Sequence, residues 1–410
     1  YCAALSALAT YHYQRKEYDK AIVNFTKAME GIEAHLGRNA YYERMKENVQ
    51  VCKEQAERLC CEQAEKLAGC TQSVQELKQE ESGEMQGEQK GFIKGMVLCK
   101  EYYEAYGKPM LEKQFPQYMD KITVGLVGEG SDCFGYDDAL STDHDWGPGF
   151  CIWVSDAVYE EIGEALKQAY EALPKEYKGY SYKASVQAGE RRGVGTTEAF
   201  YRRILGEKNC PQNGEGWSVE NIVWEDIEDE RLAAAVNGEV FLNADGEFGR
   251  IRSLLKEAYP KRLLYLKIAE AVAKFSQAAQ YNYARMLKRG DRVTAQMLLS
   301  EAVKEAMKLL YYIASEYPPH DKWLFLGLRK RQEYGQILTM LEKLLTEAGT
   351  DKEMLAEELA TELAHILYRA GYISDVGSFL QEHVNELLFK ASIVELSVEE
   401  LAERIARAEF

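Results

Sequence analysis

Cysteine pairs at metal-binding spacing are missing from this chain of 410 residues. The nine cysteines, Cys2, Cys52, Cys60, Cys61, Cys70, Cys99, Cys133, Cys151 and Cys210, are scattered without a CxxC cluster. That argues against the common zinc frameworks and reads as reduced thiols. No apolar run approaches the roughly 20 residues of a membrane-spanning helix, and no signal peptide is visible. The expectation is a cytoplasmic protein with no membrane partner. Walker-type phosphate loops, HExxH zinc motifs and GxSxG elbows are absent, as is the Arg-x4-His pair of helical toxin ribonucleases. Positive charge is also short, with 50 Lys and Arg against 67 Asp and Glu, a net charge of −17. Such a surface repels nucleic acid and anionic membranes on average, so neither is an expected partner, although a local basic pocket remains compatible with it.

What is present divides along the chain. Residues 1–70 read as helical throughout. The stretch "ALATYHYQRKEYDKAIVNFTKAME" (7–30) resembles one tetratricopeptide repeat, with Leu8, Ala9, Tyr18, Ala21, Phe25 and Ala28 at its small and large packing positions. One repeat cannot bury its own faces, so "YYERMKENVQVCKEQAERL" (41–59) is expected to supply the next helix. These helices serve either packing or the docking of a protein partner. Residues 71–90 are polar and glycine-containing, a linker composition.

From 91 to 250 the pattern changes to strands and helices in alternation. Ile122, Val124, Leu126 and Val127 form a β-type run ending in glycines, and Phe150 to Val154 read as a buried strand before an amphipathic helix. "SYKASVQAG" (181–189) and "RRGVGTT" (191–197) read as further strands, with a helix from about Glu198. Amphipathic stretches at 261–288, 293–316, 329–347 and 351–370, punctuated by Pro318-Pro319, make residues 251–410 a helical bundle. The fold class is therefore α+β.

The stretch that carries chemistry is "GEGSDCFGYDDALSTDHDWG" (128–147). Glycine lets backbone amides approach a phosphate closely, and Ser131 adds a hydroxyl. Asp143 and Asp145, one residue apart on what reads as the next strand, would point to one face and crowd their charge. A shared divalent cation would relieve that repulsion and bridge a triphosphate. His144 would face the other way, as a packing or hydrogen-bonding residue.

Gly130-Ser131 followed after eleven residues by Asp-x-Asp resembles the nucleotidyltransferase superfamily. "VGLVGEGSDCFGYDDALSTDHDWGP" is closer still to a bacterial family of nucleotidyltransferase-like proteins described only as a domain of unknown function, the one numbered 4037. That resemblance continues through "NGEVFLNADGEFGRIRSLLKEAYP" (237–260), "QYNYARMLKRGD" (280–291) and "YPPHDKW" (317–323), covering roughly residues 92–345. It implies a mixed-sheet catalytic core between the N-terminal helical segment and the C-terminal bundle. It further implies Mg2+ of the two-metal type held by Asp143 and Asp145, and a nucleoside triphosphate cradled by Gly130 and Ser131. The implied reaction transfers a nucleoside monophosphate to the hydroxyl of a small molecule or protein, releasing pyrophosphate. One departure stands out. The superfamily's third carboxylate falls at Gly195 on "RRGVGTT", with Glu198, Glu190 and Glu220 as substitutes; without one, the protein would bind nucleotide or act as a scaffold without turnover.

The remaining candidates have bland alternatives. Asp137 and Asp138 either solvate a loop or shape the metal site, and Trp146 and Trp153 read as core. Lys322 is a candidate phosphate contact from the bundle, or a surface lysine at a helix start. Arg252, Lys261, Arg262 and Arg285 could add positive charge facing a triphosphate. The acidic runs "VWEDIEDE" (223–230) and "VELSVEELAER" (394–404) read as solvated helix faces.

Overall fold

In a computed structural model of the chain, the structure describes residues 18–36, 38, 42–43, 45–53, 92–183, 191–209, 222–257 and 259–395. The chain divides into two compact units, Tyr1–Glu88 with Arg369–Gly371, and Gln89–Tyr368 with Tyr372–Phe410.

In the first unit, helix α1 (Tyr18–Leu36) buries Ala21, Phe25, Ala28 and Ile32, which recur every three or four residues and so share one face. They pack with Tyr42, Met45 and Cys52. Two alanines on that face leave room for a close neighbour, and Phe25 fills the space between them. Leu8 and Ala9 lie outside the described residues.

The second unit is built on a four-stranded mixed sheet, in the order β4-β2-β1-β5. Its strands are β1 (Thr123–Leu126), β2 (Cys151–Val154), β4 (Gly193–Thr196) and β5 (Glu239–Leu242). A separate two-stranded hairpin, labelled as a unit β3, pairs Glu176–Tyr177 with Tyr180–Ser181. β1 runs antiparallel to both β2 and β5, whereas β2 and β4 are parallel. A parallel pair needs a crossover, supplied here by helix α2 (Asp156–Glu171). Every residue of β1 and β2 is buried, as expected of central strands covered on both faces. Phe150, Ile152 and Val154 face one core with Tyr102, Tyr103 and Leu166, while Cys151 and Trp153 face the other with Phe200 and Phe248. Gly125 is required by close approach. A Cβ there would stand 2.6 Å from the Glu239 carbonyl oxygen, beside the register shift between Val124 and Gly125.

The second core continues into a helical layer. Helix α3 (Lys261–Phe275) passes through a π-helical stretch, Ser276–Tyr283, into a short helix Ala284–Lys288. α4 (Arg292–Ile313), α5 (Asp321–Leu328), α6 (Gly335–Thr346) and α7 (Lys352–Arg369) follow. Ile268, Val272, Phe275, Leu299, Val303, Leu310 and Leu363 are among the residues buried between them. Among the described residues no helix is long and apolar enough to cross a membrane.

Three expectations change. Asp143, His144 and Asp145 do not open a strand: Asp143 closes a 3-10 turn, Ala139–Asp143, and β2 begins only at Cys151. The interruption is local. Asp138 caps that turn by accepting from the Leu140 and Ser141 amides, and glycines at 147 and 149 take φ values of 133° and 155°. Of the described residues in 181–189, only Ser181 pairs as strand, together with Tyr180 before it, and residues 184–190 lie outside the described ones. In the acidic run 223–230, Asp229 is not solvated, with its side chain only 12% exposed. Most of the run 394–404 lies outside the described residues.

The loop at Tyr136 and the helical layer meet at a contact that only glycine permits. A Cβ at Gly327 would collide with the hydroxyls of both Tyr311 and Tyr136. Tyr311 also donates to the Leu324 carbonyl at 3.0 Å, so its ring cannot simply retreat. Gly327→Ala should therefore cost about 1–3 kcal/mol by overpacking, read from the urea midpoint at unchanged slope.

Candidate functional site

Beyond β1 the chain turns through Gly128, Glu129 and Gly130 into a four-residue helix, Ser131–Phe134. Gly128 has φ 125°, and the side-chain amide of Asn237 grips it at both ends. The Gly128 N–H donates to Asn237 Oδ1 at 2.9 Å, and Asn237 Nδ2 donates to the Gly128 carbonyl at 2.7 Å. Asn237 is fixed in turn by Arg252, which donates to the Asn237 and Gly238 carbonyls at 2.7 Å. Arg252 thus braces the turn from behind rather than facing a ligand. Gly130 is fully extended, and a Cβ there would stand 2.5 Å from Asp132 Oδ1.

The residue after Ser131 is the deeper anchor. Asp132 forms an ion pair with Arg192 in which the side chains are 3% and 4% exposed. The Arg192 guanidinium also donates to the Gly147 carbonyl and to Cys99 Sγ at 3.1 Å, and it lies 4.6 Å from the centre of the Tyr182 ring. Burial alone would lower its pKa, but Cys99 and Asp132 beside it raise it above the ordinary guanidinium value. The surrounding thiols behave oppositely. Burial pushes Cys99 up to about 11 and Cys151 up to about 12, so they are inert packing residues rather than nucleophiles.

The two predicted aspartates differ in environment. Asp143 is 67% exposed and accepts from His144 through both its ring Nδ1 and its backbone N–H, each at 2.9 Å. Slight desolvation would raise the Asp143 carboxyl, but His144 outweighs it and holds the group below its ordinary value. His144 is thus a hydrogen-bonding residue, as its place in the motif suggested. Asp145 is only 7% exposed and stands 3.7 Å from Arg191 Nη1. Its backbone has φ 52°, a left-handed conformation uncommon outside glycine, and its N–H donates to the Lys183 carbonyl at 2.6 Å. The positive charge that the motif demanded is therefore supplied, in this structure, by Arg191, while His144 donates hydrogen bonds to Asp143.

Arg191 also donates to the Glu129 carbonyl at 2.8 Å. One guanidinium thus touches both halves of the motif, the glycine turn and the second aspartate. Sequence reasoning treated "RRGVGTT" only as a strand and missed Arg191 and Arg192. Two arginines immediately before a glycine-rich strand, in an acidic chain, were the available signal.

The other candidates fall as follows. Asp137 is buried, accepting from the Gly95 amide at 2.6 Å and from Trp146 Nε1 at 3.0 Å, so it shapes the loop rather than solvating it. Trp146 and Trp153 are buried. Lys322 is exposed at the start of α5, with its ammonium 4.4 Å from the Trp323 ring centre. Trp323 packs against Phe134 at 4.9 Å, which places Lys322 near the far end of the helix that Ser131 begins. Arg262 pairs with Glu225, Arg285 donates to Tyr281, and Lys261 is exposed. Gly195 lies on β4 opposite Trp153, and Glu198 is paired with Arg202 on the helix that follows. Glu190 and Glu220 lie outside the described residues. Among the described residues, no group of three or more His, Cys, Asp or Glu could hold a metal ion.

With this geometry in place, comparison places one segment. Residues 224–324 match the family described as Domain of unknown function (DUF4037). No curated protein and no solved structure matches the chain. The matched segment contributes β5, Asn237 and Arg252, which hold the glycine turn from one side, and runs through α3 and α4 to the start of α5. The glycine turn itself and Asp143 to Asp145 precede it. The broader likeness to residues 92–345 is therefore matched over its later part.

Proposed function

We propose that the protein is a magnesium-dependent nucleotidyltransferase of the cytoplasm, moving a nucleoside monophosphate from a nucleoside triphosphate to an acceptor hydroxyl and releasing pyrophosphate. The observation that carries this reading is the bridge made by Arg191. Through it the Gly128–Ser131 turn and Asp145, distant in the motif, lie within one side chain's reach of each other. The backbone amides and hydroxyl at Gly130 and Ser131 would bind phosphate oxygens, and Lys322 would add charge from α5.

Magnesium fits the donor set. It takes hard oxygen ligands and is commonly held by one or two carboxylates, with substrate phosphates and water completing the shell. Asp143 and Asp145 would hold it, and when bound it would neutralise phosphate charge and stabilise the leaving pyrophosphate. Gly195 favours a second reading, in which a missing third carboxylate leaves a protein that binds nucleotide without turnover. The acceptor, small molecule or protein side chain, and a protein partner at the N-terminal helices belong to the same proposal.

Calorimetric titration of each nucleoside triphosphate with Mg2+ tests it. We expect binding by the wild type, lost in Asp143→Asn/Asp145→Asn. No binding of any triphosphate would overturn the proposal, and binding without pyrophosphate release across a range of acceptors would select the second reading.

A further inference from the structure

Two donors near Asp145 have no acceptor among the described residues. Arg191 Nε and the Tyr182 hydroxyl are buried and have no hydrogen-bond partner among the described residues. A buried donor left unpaired costs about 1–3 kcal/mol, so two in one place mark a position where an acceptor belongs. Both border the same carboxylate. Arg191 Nη1 is 3.7 Å from Asp145 Oδ2, and the Tyr182 phenol, its pKa raised first by burial, lies close enough to both that the Asp145 charge raises it and the Arg191 charge lowers it. Tyr182 is held from below, its ring over the Arg192 guanidinium and its backbone against Gly147.

The chemistry of the missing acceptor follows from the groups. Arg192 is committed to Asp132, Gly147 and Cys99, and Arg203 to Glu129, so neither is spare. Burial raises the Tyr182 phenol above its ordinary pKa, so it remains a donor at neutral pH. The guanidinium edge offers only donors and carries one positive charge, the phenol hydroxyl adds a donor beside it, and together they suit a tetrahedral oxyanion.

We propose that Arg191 Nε and the Tyr182 hydroxyl form an oxyanion subsite beside Asp145 that takes the diphosphate end of a nucleoside triphosphate, or free pyrophosphate. The assignment deepens the nucleotidyltransferase reading and rests on it for the nucleoside part alone; the subsite is a property of these two side chains. It also gives Arg191 two tasks, as counter-ion to Asp145 and as phosphate ligand.

The test is calorimetric titration of inorganic pyrophosphate into the full chain, in EDTA, with four proteins compared. The wild type should bind. Tyr182→Phe should bind about tenfold more weakly, as expected for one lost hydrogen bond to a charged group, with a denaturation midpoint that is not lowered, because the hydroxyl it removes is buried without a partner among the described residues. Arg191→Lys keeps the charge but loses Nε, and should weaken binding at least as much. Asp143→Asn/Asp145→Asn should bind pyrophosphate as tightly as the wild type or more so, because it removes negative charge beside the subsite. Nucleoside triphosphates, titrated in the same buffer, show whether the anion is preferred free or attached to a nucleoside.

Unaltered pyrophosphate affinity in both Tyr182→Phe and Arg191→Lys would overturn the subsite while leaving the nucleotidyltransferase reading intact. No pyrophosphate binding by either the wild type or the aspartate double variant would also overturn it. Pyrophosphate binding that Tyr182→Phe weakens, with no magnesium-dependent triphosphate binding, would support the subsite and remove the nucleotidyltransferase reading.

Discussion

Arg192→Met should destabilise the protein by about 3–5 kcal/mol, the usual result of leaving one member of a buried ion pair without its partner. Asp132 would remain almost completely enclosed, with its own Oδ1 still accepting the Cys133 amide but no cation facing Oδ2. The Gly147 carbonyl would lose a donor as well. The double variant Arg192→Met/Asp132→Leu removes both charges and should recover most of the loss, since an apolar pair of similar volume is often as stable as a buried salt bridge. Urea denaturation of the two single variants and the double variant closes the cycle. A single-variant loss below about 1 kcal/mol, the range of exposed pairs, would show that water reaches the pair.

A comparable loss is expected for Asp229→Ala. This carboxylate accepts the Tyr259 and Tyr312 hydroxyls, each at 2.6 Å, and the Lys267 ammonium at 2.7 Å. Truncation leaves three donors unpaired where α3, α4 and the helix Asp229–Val236 meet, a cost of about 3–5 kcal/mol. Burial pushes the Asp229 pKa up, but Lys267 and the two tyrosines outweigh it, so the folded-state value lies below the ordinary one. A depressed carboxylate pKa gives stability that is fully present above the unfolded pKa of about 3.9 and is lost as pH falls through the folded value. The gap in stability between wild type and Asp229→Ala should therefore be constant from neutral pH down to about pH 5 and narrow below about pH 4. A gap that stayed constant through pH 3 would refute the assignment.

Much of the sheet was legible, because β1 and β2 are central strands rich in apolar residues, with Ile122, Val124, Leu126 and Val127 in or beside the first and Phe150 to Val154 in or beside the second. The bundle helices were legible for the same kind of reason, since their apolar residues repeat at helical spacing. The aspartate motif was legible as composition but not as geometry. Alternation on a strand predicted two carboxylates sharing one face, whereas the Asp138 cap and the left-handed backbone at Asp145 give one exposed and one enclosed. Asp229 was misread because an acidic run averages over its members, and the three donors that enclose one of them come from residues 30 to 83 positions away. Arg191, Arg192 and Asn237 share that difficulty. Arg191 and Asn237 act on the glycine turn and Arg192 on Asp132 just beyond it, from far along the chain, and single-sequence periodicity carries no such distance.

The grip of Asn237 on Gly128 also sets an order of events during synthesis. β1 lies between β2, close behind it in the chain, and β5, which is joined to it only after some hundred further residues have been made. A ribosome-bound chain that has emerged as far as β4 can pair three strands, yet its glycine turn has no amide to hold it and its central strand presents a bare edge. Long-range pairing of this kind is slow and leaves edges exposed to aggregation. The glycine turn, though encoded early, is fastened only once the DUF4037-like segment arrives, so the segment that matches the family acts as the late-arriving half of the candidate site.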